Sequence, residues 1–216
     1  MSKKARSEII ETAKLMYAKN MVNAFEGNLS MRAGGNIYVT PTAVCKGYLT
    51  EDQIVETDSI GRLTDSSQRV SSEFKLHLAV YEHRPEIHAV VHAHPPFTTA
   101  YAVANQPIET KAYPEMIVLY GRVPIAAYGT PSTDAIHADL PQYLPDHDVI
   151  LLANHGVVAV GETVLDAFFK LESIESMAKT LLLTRLLGGE KTLPDEELAV
   201  LQAMGEELRE RRSSDA

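Results

Sequence analysis

Three histidines that follow apolar segments are the residues of this chain best suited to chemistry. His92 and His94 lie two residues apart in segment 87–95, and His155 ends segment 150–155. Alternate side chains of a strand share one face, so the first two imidazoles should lie about 7 Å apart at Cβ and converge on one ion. Three neutral imidazoles leave a divalent cation with open coordination positions, as in catalytic sites. We therefore predict a metal site at these three residues, against the alternative of ordinary half-buried histidines.

The remaining histidines carry no comparable pattern. His77 falls in a predicted helix, and the others lie near helix or loop ends: His83, His88, His137 and His147. We expect all five to be structural or to face solvent.

The elements that must position the metal ligands follow from hydrophobic spacing and from turn residues. Apolar residues at helical spacing from Ile9 to Tyr17 predict a first helix that ends near Asn20. Further helices are predicted over about 73–82, 96–104, 133–144 and 162–187, with a last helix opening at 192–194. Strands are predicted over 29–32, 36–40, 53–57, around His92, near 123–127, over 150–155 and over 157–160. This mixture predicts a mixed sheet covered on both faces by helices.

Size and composition indicate one globular unit. The chain has 216 residues, of which 45% are hydrophobic and 23% are charged. Such a chain can bury a substantial core as a single domain, which we place at 1–216, with a frayed tail from about Arg209. Ser71 or Ser72 should cap the helix predicted at 73–82.

Charge and targeting signals limit the partners. A net charge of −9 argues against nucleic acid as the main partner, and the single cysteine, Cys45, excludes an internal disulfide. No stretch approaches the roughly 20 apolar residues that a membrane span needs. The first residues lead into an amphipathic helix rather than a signal peptide, so we expect a cytoplasmic protein.

Five short motifs, in order, carry a family resemblance. They are Gly27-Asn28-Leu29-Ser30 followed by Arg32, then Thr40-Pro41-Thr42, Ser71-Ser72-Glu73, His92-Ala93-His94 and His155-Gly156. Together they resemble the class II aldolase and adducin-head family, most closely its fuculose-phosphate aldolase branch, from about Ser7 to Leu187. The resemblance implies a three-layer α/β/α fold with a mixed, mostly antiparallel sheet. It also implies a homotetramer with active sites between neighbouring subunits.

The resemblance further implies a reaction. His92, His94 and His155 would hold zinc, or manganese or cobalt, and Glu73 would both touch the metal and act as acid and base. The expected reaction cleaves a ketose 1-phosphate, of the fuculose or 5-deoxypentulose type, into dihydroxyacetone phosphate and a small aldehyde. A divalent cation can stabilise the carbanion left at C3 as an enediolate. The alternative for Glu73 is a first-turn glutamate that only favours the helix dipole.

A phosphate site is expected beside Glu73. Ser71 and Ser72 offer hydroxyl and N–H groups at a helix N-terminus, which suits an anion. By resemblance, Asn28, Thr42 and Ala43 complete the cradle. Where fuculose-phosphate aldolases commonly have Thr-Gly, this chain has alanine at 43. Its N–H can still donate, and we expect the loop to avoid backbone conformations that glycine adopts easily.

The aldehyde side of the site is less well matched. By resemblance, Tyr113 would reach a neighbouring subunit and serve the C4 hydroxyl of the substrate, with Glu115 as the alternative. No tyrosine follows Tyr143, although the family often closes its site with an aromatic tail residue.

Three other functions within the family compete with the aldolase. One is a methylthioribulose 1-phosphate dehydratase, which shares the histidines and a glutamate base. Another is a pentulose-phosphate 4-epimerase, which typically has aspartate where this chain has Glu73. The third is an adducin-like binding module without a metal site, against which the retained histidines argue.

Overall fold

A seven-stranded sheet forms the middle layer of the protein in the computed structural model, which describes residues 2–131 and 133–214. The strands are β1 (Asn28–Ala33), β2 (Asn36–Val39), β3 (Val55–Asp58), β4 (Ala89–Ala93), β5 (Ile108–Glu109), β6 (Arg122–Val123), β7 (Ile125–Ala126), β8 (Val149–Leu152) and β9 (Gly156–Gly161). The order in the large sheet is β3-β2-β1-β4-β9-β8-β7, and β5 pairs with β6 separately. Neighbours in the large sheet are antiparallel except β7 and β8, which are parallel.

Helices cover both faces of this sheet. They are α1 (Ser2–Ala18), α2 (Phe74–His83), α3 (Pro96–Val103), α4 (Pro114–Leu119), α5 (Val164–Leu186) and α6 (Asp195–Ser214). Short 3-10 helices span Lys46–Tyr48, Glu51–Gln53, Asp134–His137 and Leu140–Gln142. One hydrophobic core joins the sheet to α1, α3 and α5, and the other joins it to α2 and the last two 3-10 helices. The predicted three-layer α/β/α fold with a mixed, mostly antiparallel sheet is confirmed.

Strand β4 shows how the two cores share the sheet. Val91 packs in the core beneath α1 and α5, whereas Val90 packs in the core beneath α2, because successive side chains point to opposite faces. Every residue of β4 is buried. The strand that contains His92 is therefore packed against a hydrophobic core on each face of the sheet.

Two predicted elements are wrong because a proline interrupts them. The helix expected over 133–144 is replaced by two 3-10 helices, and Pro141 lies within the second. Proline lacks an N–H group and clashes with the preceding turn, so a continuous α-helix cannot form there. Pro124 likewise separates β6 from β7 where one strand was expected over 123–127.

The N-terminus of α2 also differs from the prediction. The helix begins at Phe74, and Glu73 rather than a serine occupies the cap position. Ser71 Oγ accepts only a long hydrogen bond of 3.4 Å from Glu73 N. The prediction that Ser71 or Ser72 caps the helix is therefore wrong.

The C-terminal helix is longer than expected. Helix α6 continues to Ser214, although fraying was expected from about Arg209; residues 215 and 216 lie outside the described ranges. Three acidic residues in its first turn favour the helix dipole, and Arg211 pairs with Glu207 one turn away at 3.6 Å. None of the helices in the described ranges combines the length and apolar character that crossing a bilayer requires.

Candidate active site

The three predicted metal ligands converge at one edge of the sheet. His92 lies in β4, His94 directly follows that strand, and His155 occupies the tight turn between β8 and β9. Because β4 pairs with β9, with Ala93 opposite Val157, the end of β4 lies beside this turn. Each pair of imidazole rings has its centroids 4.8 Å apart, and the ligating nitrogens all lie within 4.8 Å of one another. These side chains could hold a metal ion, as predicted.

Two glycines allow the histidines to come this close. A Cβ atom on Gly156 would lie 2.4 Å from Cδ2 of His94, so no side chain fits there. Gly27 has a φ of +74°, and a Cβ atom on it would lie 3.0 Å from the carbonyl oxygen of His92. A side chain at position 156 would therefore collide with the His94 imidazole, whereas one at position 27 would collide with Val22 and the backbone of His92.

The Glu73 carboxylate faces the same cluster. Its Oε1 lies 3.0 Å from His155 Nε2, and its Oε2 lies 3.3 Å from His92 Nε2. Burial alone would raise the pKa of this carboxyl. Attraction to His92 and His155 in their protonated forms, together with hydrogen bonds from His155 and Asn28, outweighs burial and holds the pKa well below its usual range. Glu73 is therefore a carboxylate at neutral pH.

The donor set fits a divalent cation. His92 Nδ1 lies 3.0 Å from the carbonyl oxygen of Val157, which can only accept, so the neutral ring carries its proton on Nδ1. Its Nε2 lone pair then faces both the Glu73 carboxylate and His94 Nε2, the latter at 3.0 Å. Burial lowers the pKa of both His92 and His94, which favours the neutral form that binds metals. When the rings are neutral, one divalent cation can satisfy their lone pairs and the carboxylate together.

A buried polar chain supports Glu73 from behind, and the sequence did not reveal it. Asn28 Nδ2 donates to Glu73 Oε2 at 2.8 Å, and its Oδ1 contacts His77 Nε2. His77 Nδ1 in turn lies 2.7 Å from the Ser30 hydroxyl, which lies 2.7 Å from the hydroxyl of Tyr81. His77 is structural, as expected. The only sequence signal was its position four residues, about one helical turn, after Glu73, which does not reveal the partners on β1.

Glu26 is a second residue that sequence reasoning missed. Its Oε2 lies 3.6 Å from His94 Nδ1. It also lines a cavity of about 650 Å³ with His94, Asn23, Asn20, Tyr17 and Pro96. Only the position of Glu26 directly before the Gly27 motif could have indicated it. A larger cavity of about 1300 Å³ lies beside α4 and α6 and contains none of the predicted site residues.

Most of the predicted phosphate residues occupy two joined segments, the Thr42–Ala43 loop and the Ser71–Ser72 segment that precedes Glu73. Thr42 and Ala43 are exposed, and Thr42 N donates to the carbonyl oxygen of Arg69 at 3.3 Å, which ties this loop to the segment carrying Ser71 and Ser72. Ser72 is exposed, whereas Ser71 is only 8% exposed.

Two of these residues have unexpected local structure. Ala43 has a φ of +57°, so the expectation that the loop avoids glycine-like conformations is wrong. The left-handed region costs an L-residue roughly 1–2 kcal/mol, which this loop sustains. Asn28 is buried, and its amide is shared between Glu73 and His77.

Tyr113 and Glu115 lie apart from this cluster within one chain. Tyr113 immediately precedes α4 and packs, half-buried, against the core of α1 and α5, and Glu115 is exposed in the first turn of α4. Neither contacts Glu73 or the three histidines through the hydrogen bonds and ion pairs of the described chain. A role for either one in the site of a neighbouring subunit stays a prediction.

Comparison with known proteins agrees with this geometry. The family model for the class II aldolase and adducin N-terminal domain matches residues 7–182. An L-fuculose phosphate aldolase of Methanocaldococcus jannaschii is 32% identical over 182 residues, covering 84% of this chain and 98% of that protein. A solved structure of L-fuculose 1-phosphate aldolase superposes with a TM-score of 0.85 and 28% identity, covering 94% of this chain and 96% of the other.

A relative with different chemistry matches to a similar degree. The 3-oxo-tetronate 4-phosphate decarboxylase of Escherichia coli K12 is 31% identical over 179 residues, covering 81% of this chain and 84% of that protein. The comparisons confirm the predicted family and support an aldehyde-lyase class of enzyme. They also show that the fold serves more than one sugar-phosphate reaction.

Proposed function

Because this chain belongs to the class II aldolase and adducin N-terminal domain family, we propose that it is a metal-dependent aldolase. Its proposed substrate is a ketose 1-phosphate of the fuculose or 5-deoxypentulose type, and its products are dihydroxyacetone phosphate and a small aldehyde.

The position of Glu73 carries this proposal. Its two carboxylate oxygens lie 3.0 and 3.3 Å from His155 and His92, while Asn28 fixes the carboxylate from the other side. An acid–base group is thereby held directly beside the three candidate metal ligands. A glutamate that served only the helix dipole would not need such contacts.

The reaction requires one net proton transfer, which this geometry allows. When the C3–C4 bond breaks, its electron pair stays on C3 beside the C2 carbonyl, and C4 becomes an aldehyde as its hydroxyl loses a proton. Glu73, held as a carboxylate, can take up a proton and deliver it to C3. The exposed Thr42 and Ser72, with the N–H of Ala43, would hold the phosphate end and so fix which carbon faces Glu73.

We infer that His92, His94 and His155, with Glu73 beside them, would hold a divalent cation, most simply Zn²⁺, with Mn²⁺ or Co²⁺ as alternatives. When bound, it supplies the positive charge that stabilises negative charge developing on the substrate oxygens. Imidazole and carboxylate ligands suit several first-row ions, so metal analysis of the purified protein must identify it.

The test is a substrate panel. Purified protein of known metal content is incubated with ketose 1-phosphates, including fuculose 1-phosphate and methylthioribulose 1-phosphate, and release of dihydroxyacetone phosphate is measured with and without chelator. We expect release that chelator abolishes and added metal restores. Bound metal without any release would reject the aldolase and favour the dehydratase or the epimerase.

Decarboxylation is the second candidate, since the Escherichia coli decarboxylase is nearly as similar as the aldolase relatives. Incubation with 3-oxo-tetronate 4-phosphate separates the two. Carbon dioxide release without aldehyde formation from any ketose 1-phosphate would make this candidate the better one.

The remaining parts of the proposal concern assembly and location. A homotetramer with active sites between subunits, a contribution of Tyr113 or Glu115 from a neighbouring subunit, and a cytoplasmic location stay predictions. The assembled histidines and Glu73 argue against the adducin-like binding module.

A further inference from the structure

A buried lysine lies beside the loop expected to hold phosphate. Lys46 is only 2% exposed, and among the lysine and arginine side chains that the structure describes it alone is buried. It begins the 3-10 helix Lys46–Tyr48, which packs against α1. Removing an ammonium group from water is costly unless the charge is paired.

The contacts of Lys46 within the described chain do not neutralise its positive charge. Its Nζ donates to the carbonyl oxygen of Val44 at 2.8 Å, which uses one of its three donors. Among the described side chains, no carboxylate lies within ion-pair distance of it. Burial lowers the pKa of Lys46, whereas the Cys45 and Glu73 side chains act in the opposite direction. A buried cation with spare donors is suited to an anionic ligand.

The bond to Val44 also locates the ammonium group. Val44 directly follows Ala43, so this bond holds Nζ within hydrogen-bond distance of the residue next to the exposed Thr42–Ala43 loop. This loop is joined to the segment before Ser71 by the bridge between Pro41 and Val70. The lysine charge thus lies beside the end of this loop, near enough to Glu73 for its carboxylate to act on it.

We propose that Lys46 pairs with the phosphate group of the substrate at the Thr42–Ala43 loop and selects phosphorylated over unphosphorylated ketoses. This deepens the proposed aldolase function and rests on it. A phosphate dianion at this loop would be repelled by the nearby Glu73 carboxylate and by a chain of net charge −9. The lysine offsets that repulsion in a setting shielded from water, where charge-assisted hydrogen bonds are strong.

Inorganic phosphate is the direct probe, because its binding does not require turnover. Titration calorimetry on the metal-loaded protein would compare wild type with Lys46→Met, which keeps the length of the side chain but removes its charge. We expect the Kd for phosphate to rise about tenfold to hundredfold, the usual effect of losing a charged hydrogen-bond partner. The matched control is Lys14→Met on the exposed side of α1, which should leave the Kd unchanged.

Two further variants separate charge from structure. Lys46→Gln can still donate to the Val44 carbonyl but is neutral, and it should weaken phosphate binding as Lys46→Met does. Lys46→Arg restores the charge and should recover part of the affinity. If Lys46→Met does not fold, this pair decides the question. Equal phosphate affinity in wild type and Lys46→Gln, or no phosphate binding by wild type, would overturn the proposal.

Turnover measurements then distinguish this proposal from the aldolase itself. For an active ketose 1-phosphate, Lys46→Met should raise KM by a similar factor with a smaller change in kcat. An unchanged KM would reject the role of Lys46 and leave the aldolase intact. Phosphate binding that depends on Lys46, without cleavage of any ketose 1-phosphate, would instead reject the aldolase.

Discussion

Asn28 donates a 2.8 Å hydrogen bond from Nδ2 to Oε2 of Glu73. A carboxylate can only accept, so the amide oxygen must point the other way, where it accepts from Nε2 of His77. The neutral His77 ring then accepts at Nδ1 from the Ser30 hydroxyl, which accepts from Tyr81. Every donor in this chain therefore points towards Glu73. Such an arrangement stabilises the carboxylate and fixes its orientation.

The first prediction is that replacing Glu73 by glutamine lowers turnover without removing the metal. Glu73→Gln keeps the shape of the side chain but cannot carry a proton between atoms of the substrate. We expect kcat to fall by about 10²–10⁴, with metal content retained on the three histidines. Steady-state kinetics and metal analysis on the same sample measure both. Glu82→Gln, an exposed glutamate later in α2, is the control and should behave as wild type.

The second prediction is that removing one imidazole of the histidine cluster removes the metal. His94→Ala should empty the metal site, because two histidines and a carboxylate hold a divalent ion much less tightly than the full set. Elemental analysis after dialysis should give a metal content near zero, together with loss of turnover. His88→Ala, at an exposed position before β4, should retain both. Stoichiometric metal in His94→Ala would show that the ligands are assigned wrongly.

The clustering of the three histidines could be predicted because much of their geometry follows from local rules. Alternation of side chains predicted that His92 and His94 lie on one side, and the apolar run before His155 predicted a third imidazole in the same layer. The strand is shorter than expected over 150–155, since β8 ends at Leu152 and His155 lies in the turn that follows. Glu73 could not be placed this way, because it lies before α2, far from β4 in sequence. Only the resemblance connected it to the histidines.

The helix predicted over 133–144 is wrong for a local reason. Hydrophobic spacing favoured a helix there, but spacing alone takes no account of Pro141, which prevents a continuous α-helix. The network of Asn28, Ser30 and His77 could not be foreseen, because pairing of β1 with β4 and packing of α2 on β1 are long-range contacts. Residues of this kind form a network only once the sheet order is known.

The third prediction concerns the pH dependence of stability. Burial lowers the pKa of His77 to about 3, although the nearby Glu73 carboxylate opposes this, whereas the unfolded value is about 6.5. Between these values the unfolded chain binds the extra proton and the folded protein does not. The stability that the neutral His77 contributes is therefore complete above about pH 6.5 and is lost as the pH falls towards 3.

His77→Gln tests this linkage, because glutamine does not titrate. Below about pH 6, wild type should lose roughly 1.4 kcal/mol of unfolding free energy per pH unit relative to the variant. Urea denaturation at pH 7, 6 and 5, on chelator-treated protein so that metal binding does not contribute, measures the difference. Parallel pH profiles for wild type and His77→Gln would mean that His77 is not held neutral.

The fourth prediction concerns the backbone at Ala43. Its φ of +57° costs an alanine roughly 1–2 kcal/mol, whereas glycine adopts this conformation freely but loses more entropy on folding, about 0.5–1 kcal/mol. Ala43→Gly should therefore leave the free energy of unfolding unchanged or raise it by up to about 1.5 kcal/mol, as measured by urea denaturation. Ala203→Gly, at an exposed position inside α6, should lower it by about 1 kcal/mol. A comparable loss in both variants would show that Ala43 does not adopt the left-handed conformation in solution.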